Sequence, residues 1–119
     1  MMDKKDNNSI LTSIKKLLGI TKEYTNFDSD IMMHINSVFM ILNQLGVGPA
    51  EGFRIEDSKA TWDDFIDEES NLDAVKSYIH LKVKLLFDPP INSSVMESMK
   101  QTINELEWRI NVKAESKSE

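Results

Sequence analysis

The densest chemistry-bearing run in the chain is TWDDFIDEES, residues 61–70, in which Asp63, Asp64, Asp67, Glu68 and Glu69 crowd five carboxylates into seven positions. Carboxylate oxygens are hard ligands, so such a run could hold Ca²⁺ or Mg²⁺. It lacks the D-x-D-x-D-G alternation that aims successive side chains at one calcium ion, and a solvated acidic surface is the better reading. His34 and His80 stand alone. A lone histidine is far more often a solvated or core-edge residue than a ligand or base. There is no cysteine, no Gly-rich phosphate loop, no paired-histidine metal motif and no serine in a nucleophile-elbow setting. No catalytic residue, metal ligand or cofactor is expected, and the chain does not read as an enzyme.

Charge sharpens this. The net is −6 over 119 residues, and residues 51–73 alone hold nine acids against Arg54 and Lys59, a net of −7. One acidic segment therefore sits on an otherwise balanced protein. That weighs against a DNA-binding domain, whose affinity comes mostly from cations neutralising phosphates. The length suits one domain with a modest core. Absence of cysteine excludes a disulfide framework and fits a reducing compartment. The opening MMDKKDNN lacks the apolar stretch of an export signal. Apolar runs break well before the ~18 positions that a membrane span needs.

The elements that position these residues read as helices. Residues 1–8 are expected to be a disordered leader. Ser9 can cap a short helix carrying Ile10, Ile14, Leu17 and Leu18, with Gly19 just past its end. Asp28 is expected to cap a long second helix with Ile31, Ile35, Val38, Leu42 and Leu45 on one stripe, ended by Gly46. Residues 46–60, GVGPAEGFRIEDSKA, read as loop, with a short extended piece at residues 53–55. Thr61 and Asp64 have capping-box spacing over one or two helical turns. Asn71 is expected to cap a fourth, central helix carrying Leu72, Val75, Ile79, Val83 and Leu86, with Asp73, Lys76, His80 and Lys84 as its polar side.

That helix runs into LLFDPPINSS, residues 85–94, and must stop near Phe87, because each proline disfavours helical geometry in the residue before it. Ser94 and Glu97 have capping-box spacing for a last helix, whose inner face is Val95, Met99, Ile103, Leu106 and Ile110. Glu105 and Arg109 are spaced for a surface ion pair. The expected organisation is an all-α domain over residues 9–112, a small bundle of about four to five helices. A long acidic Gly-rich loop joins the second and third helices, and residues 113–119 form a flexible tail. Trp108 and Phe65 are expected to close the core, given the area that aromatic burial contributes. Phe53, directly after Gly52 in the glycine-rich loop, is the better candidate for meeting a partner. Met32, Met33 and Met40 cannot all face one core, so Met33 and Met40 become candidate interface residues.

The ordered set NFDSD, INSVFMILNQLGVGP, GF-x-I, TWDDFI, VKSYIHLKVKLLFDPP and ELEWRIN resembles the head–tail connector (adaptor, or head-completion) proteins of tailed phages, over about residues 9–112. The resemblance implies a small helical virion protein, made in the host bacterial cytoplasm, that forms a ring, usually of twelve subunits, beneath the portal. Such a ring extends the DNA channel and carries the stopper or tail-completion protein. DNA passes without specific binding, and no membrane is involved. On this reading Lys113 and the C-terminal segment meet the portal. Asp63, Asp64, Asp67, Glu68 and Glu69 face the channel, where they repel phosphate. A closing ring needs a fixed subunit shape, which Pro89 and Pro90 would hold with Phe87 packed at the bend. The rival reading is a small cytoplasmic all-α regulator that binds a protein through the acidic segment.

Overall fold

A computed structural model describes residues 8–66 and 69–118. Residues 1–7 of the expected leader, together with Asp67, Glu68 and Glu119, lie outside the described residues. Among the described residues the regular elements are all helices: α1 (Ile10–Leu17), α2 (Asp28–Gln44), α3 (Trp62–Phe65), α4 (Glu69–Phe87) and α5 (Ser93–Ser118).

Helix α1 begins where Ser9 Oγ accepts from the Thr12 amide at 3.2 Å, and it ends on Gly19 at φ +83°. Its N-terminus is strapped by the chain that precedes α3. Ser9 Oγ donates to the Ser58 carbonyl at 2.7 Å, and the Ile10 amide donates to the Ala60 carbonyl at 3.0 Å. Helix α2 buries Ile31, Ile35, Val38, Phe39 and Leu42, then stops at Gly46, φ +88°. Its cap differs from expectation. Phe27 holds the cap position without a side-chain bond, and Asp28 instead lies 2.8 Å from Lys15 Nζ. The same ammonium donates to the carbonyls of Lys22 (3.2 Å) and Tyr24 (2.7 Å). Lys15 is thus a buried cation whose donors fix the link between α1 and α2, and a buried charge is tolerated only when so paired.

No strand forms at residues 53–55. The Asn36 side chain imitates one, accepting from the Ile55 amide (2.7 Å) and donating to its carbonyl (3.0 Å). Helix α3 has the expected box: Thr61 Oγ1 accepts from the Asp64 amide, and Asp64 Oδ2 accepts from the Thr61 amide. It delivers Trp62 and Phe65 to the core.

Helix α4 packs against α1, α2 and α5, and it buries Val75, Tyr78, Ile79 and Val83. It begins at Glu69, so Asn71 lies within the first turn rather than at the cap. The cap of α5 is also displaced. Asn92 Oδ1 accepts from the amides of Ser94 (2.8 Å) and Val95 (3.1 Å), which places Ser94 inside the helix and leaves the Ser94–Glu97 box unused. Helix α5 continues through Ser118, where the sequence reading has a tail from residue 113. No Gly or Pro interrupts VKAESKS, and Ala114 packs on the core beside Gly46.

Candidate assembly surfaces

Trp108 departs most from expectation: it is 67% exposed. Ile103 and Ile110 define the buried side of α5. Trp108, five residues after Ile103, lies roughly 140° around the helix from it. Val112, one turn on, is also exposed. Spacing alone could have found this, had periodicity been weighed above the usual burial of a large aromatic.

On α2, Met33 (58% exposed) and Met40 (68% exposed) project opposite the Ile35 stripe. With Met32, Phe53 and Asn36 they border a groove of about 900 Å³, rimmed by Glu51, Arg54 and Glu56. Phe53 lies between partner and core. Its ring packs at 5.1 Å from Phe39 and 5.2 Å from Phe65, which themselves stand 4.6 Å apart, while it also lines the groove.

At the corner, α4 ends on Phe87, and the Asp88 amide still donates to the Lys84 carbonyl at 2.8 Å. Phe87 meets Phe27 edge-on at 5.3 Å, Phe27 meets Tyr24 at 5.7 Å, and His34 lies 6.4 Å from Phe87. Pro89 is exposed and Pro90 half-buried, while Leu86, Ile91 and Val95 are exposed around them. The sequence reading missed this apolar tip.

Lys113 and the acids Asp63 and Asp64 border one further groove, of about 500 Å³, with Phe65, Gly48 and Ala114. Gly48 is obligatory there: at φ +88°, an added Cβ would stand 2.5 Å from Phe65 Cε1. Both acids are exposed and locally engaged, Asp64 in the α3 box and Asp63 as acceptor from Asn8 Nδ2 at 3.2 Å. Asp67 and Glu68 lie outside the described residues, and only the backbone of Glu69 is described.

The polar side of α4 is more covered than its composition implies. Lys76 Nζ stands 5.3 Å over the Trp62 ring, a cation–π contact. His80 is half-buried with an unpartnered Nε2. Burial first and the Lys84 cation second hold its pKa below the ordinary value, and the Leu17 backbone opposes them weakly. Tyr78, fully buried, donates to Glu107 Oε2 at 2.7 Å, and burial with that carboxylate pushes its hydroxyl well above the usual phenol range. The Glu105–Arg109 pair forms as spaced, at 2.8 Å.

Among the described residues no three His, Asp or Glu side chains gather in a way that could hold a metal ion, and no helix is long and apolar enough to cross a membrane. What the fold presents is a helical protein with apolar side chains exposed on several outward faces. The family model described as Phage connector protein matches residues 10–117, and the chain belongs to that family of head–tail connector proteins. Its role is that of a structural connector among the head and tail proteins of a phage. No curated protein and no solved structure matches it.

Proposed function

We propose that the chain forms a closed ring beneath the portal, joins the DNA-filled head to the tail or stopper protein, and extends the DNA channel. The observation that carries this reading is the outward placement of Met33 and Met40 on α2 and of Trp108 and Val112 on α5. A domain that worked alone would leave that surface wet at a cost. A ring subunit has it covered by neighbours on two sides.

Closure requires one rotation repeated at every contact. The corner serves this by stopping α4 at Pro89–Pro90 and seating Phe87 on Phe27. The end of α5 near Lys113 meets the portal. The acidic segment faces the channel, where like charge keeps the duplex from adhering. Native mass and negative-stain imaging of the purified chain, alone and with the portal of the same phage, test the proposal. The expected product is a ring coaxial with the portal, twelvefold when assembled. A chain that stays monomeric in both conditions overturns it.

A further inference from the structure

Among the described residues the buried polar side chains are Ser9 (6% exposed), Thr12 (8%) and Lys15 (2%). They fall at steps of three along α1 and its cap, and so share one face. All three line one cleft of about 740 Å³, between α1, the α1–α2 link and the strap of residues 58–61. Two of them are fully engaged. Ser9 Oγ accepts from the Thr12 amide and donates to the Ser58 carbonyl. The three donors of Lys15 go to the carbonyls of Lys22 and Tyr24 and to Asp28. Thr12 differs. Its amide is bonded to Ser9, but its hydroxyl has no hydrogen-bond partner among the described residues. A buried hydroxyl left unpaired costs free energy, and a partner from outside the chain would remove that cost.

We propose that this cleft binds a small tetrahedral oxyanion of the phosphate type, with the Thr12 hydroxyl as its innermost donor. Further uncommitted donors line the other walls: the Thr25 hydroxyl on the link, and the Ser58 hydroxyl and Lys59 ammonium on the strap. Thr61 Oγ1 accepts from the Asp64 amide and keeps its own O–H to give. Donors that converge from three segments suit a ligand that accepts in every direction, as a tetrahedral oxyanion does and a planar carboxylate does not. Charge agrees. Lys15, Lys22 and Lys59 line the cleft against Glu23 and Asp28, and Asp28 is already paired with Lys15. The burial of Thr12 selects the size of the ligand. A free anion can reach it, whereas a phosphate in a DNA duplex is held outside by its own strand. Once bound, the anion ties the strap to α1 and the link, the same segments that Ser9 and Lys15 already join.

The site can be read on the purified full chain, whatever it assembles into. Titration calorimetry with inorganic phosphate, and the unfolding midpoint at constant ionic strength, should both show saturable binding. Sulfate should compete and chloride should not. Thr12→Val, which keeps the shape and the amide, should weaken phosphate binding by about tenfold or more, as should Lys59→Gln. Thr12→Ser, which restores the hydroxyl, and Lys100→Gln, an exposed lysine between the ends of α5, should leave binding unchanged. Circular dichroism shows that each variant folds. If Thr12→Val does not, Ser58→Ala combined with Lys59→Gln reads the same cleft from the strap. Absence of saturable binding overturns the inference, as does undiminished binding by the Thr12 or strap variants. An equal loss in Lys100→Gln would mark general attraction to cations and also overturn it. So would a short DNA duplex that displaces phosphate, because the anion would then sit on the surface and not on Thr12.

Discussion

Trp62 is 1% exposed and donates its indole N–H to Ser13 Oγ at 2.9 Å, with Lys76 over its ring, whereas Trp108 lies two-thirds in solvent on the far side of α5. Trp62 is carried by a four-residue helix that could not persist alone. It is held because α1 and α4 have places for it. Trp108 sits in a 26-residue helix with every local reason to be ordered, yet no element among the described residues covers it. The difference teaches that helix phase and tertiary contacts, rather than residue type, place a large aromatic here: one completes the core, and the other stays in solvent.

Breaking that comparison should give the largest effect first. Trp62→Ala should cost about 3–5 kcal/mol, enough to unfold much of a marginal domain, whereas Trp108→Ala should stay within about 0.5 kcal/mol in the isolated subunit. Urea unfolding of both variants measures this, and similar losses would erase the distinction. Lys15→Met removes a buried cation while leaving two carbonyls and the Asp28 carboxylate facing its place. It should cost about 3–5 kcal/mol, read as a lower midpoint. Replacement of an exposed lysine such as Lys100 should move the midpoint very little.

Gly48→Ala forces a Cβ against Phe65 at a left-handed backbone position, and should cost more than about 1 kcal/mol. The same change at Gly19, also left-handed but with nothing near its Cβ, should cost less, since only backbone strain remains. At the corner, stability and assembly should separate. Pro89→Ala with Pro90→Ala should keep helix content by circular dichroism while impairing oligomer closure by light scattering, and normal assembly would deny the corner a geometric role.

The smallest effect concerns His80. Its folded pKa is lowered, so below the ordinary value of about 6.5 the unfolded chain binds a proton that the folded chain resists. The stability it contributes is full above that value and declines as pH falls beneath it. His80→Gln should make the unfolding midpoint fall less steeply than in the native chain between about pH 7 and about pH 5. An unchanged slope would mean that other groups carry the dependence.

By itself the sequence determined the helices and most of their inner faces, although Leu86 and Val95, expected on them, lie exposed at the corner. The steps of three and four in Ile31, Ile35, Val38 and Leu42 are local, as are the stops at Gly19, Gly46 and the double proline, the Thr61–Asp64 box and the Glu105–Arg109 pair. Each depends on residues within one or two turns, which a linear reading can see. The family was legible in the same way, from ordered motifs. Tertiary structure decided what depends on competition between distant groups. Asp28 abandoned its cap because Lys15, thirteen positions away, needed a counter-charge. Ser9 and Ser58, 49 residues apart, close the strap over α1. Asn36 reaches across 19 residues to hold Ile55. Helix α5 ran on past residue 112 because Ala114 had Gly46 to pack beside. Trp108 faced outward because its phase on α5 outweighed the free energy its burial would have gained. Among the described residues none covers that side.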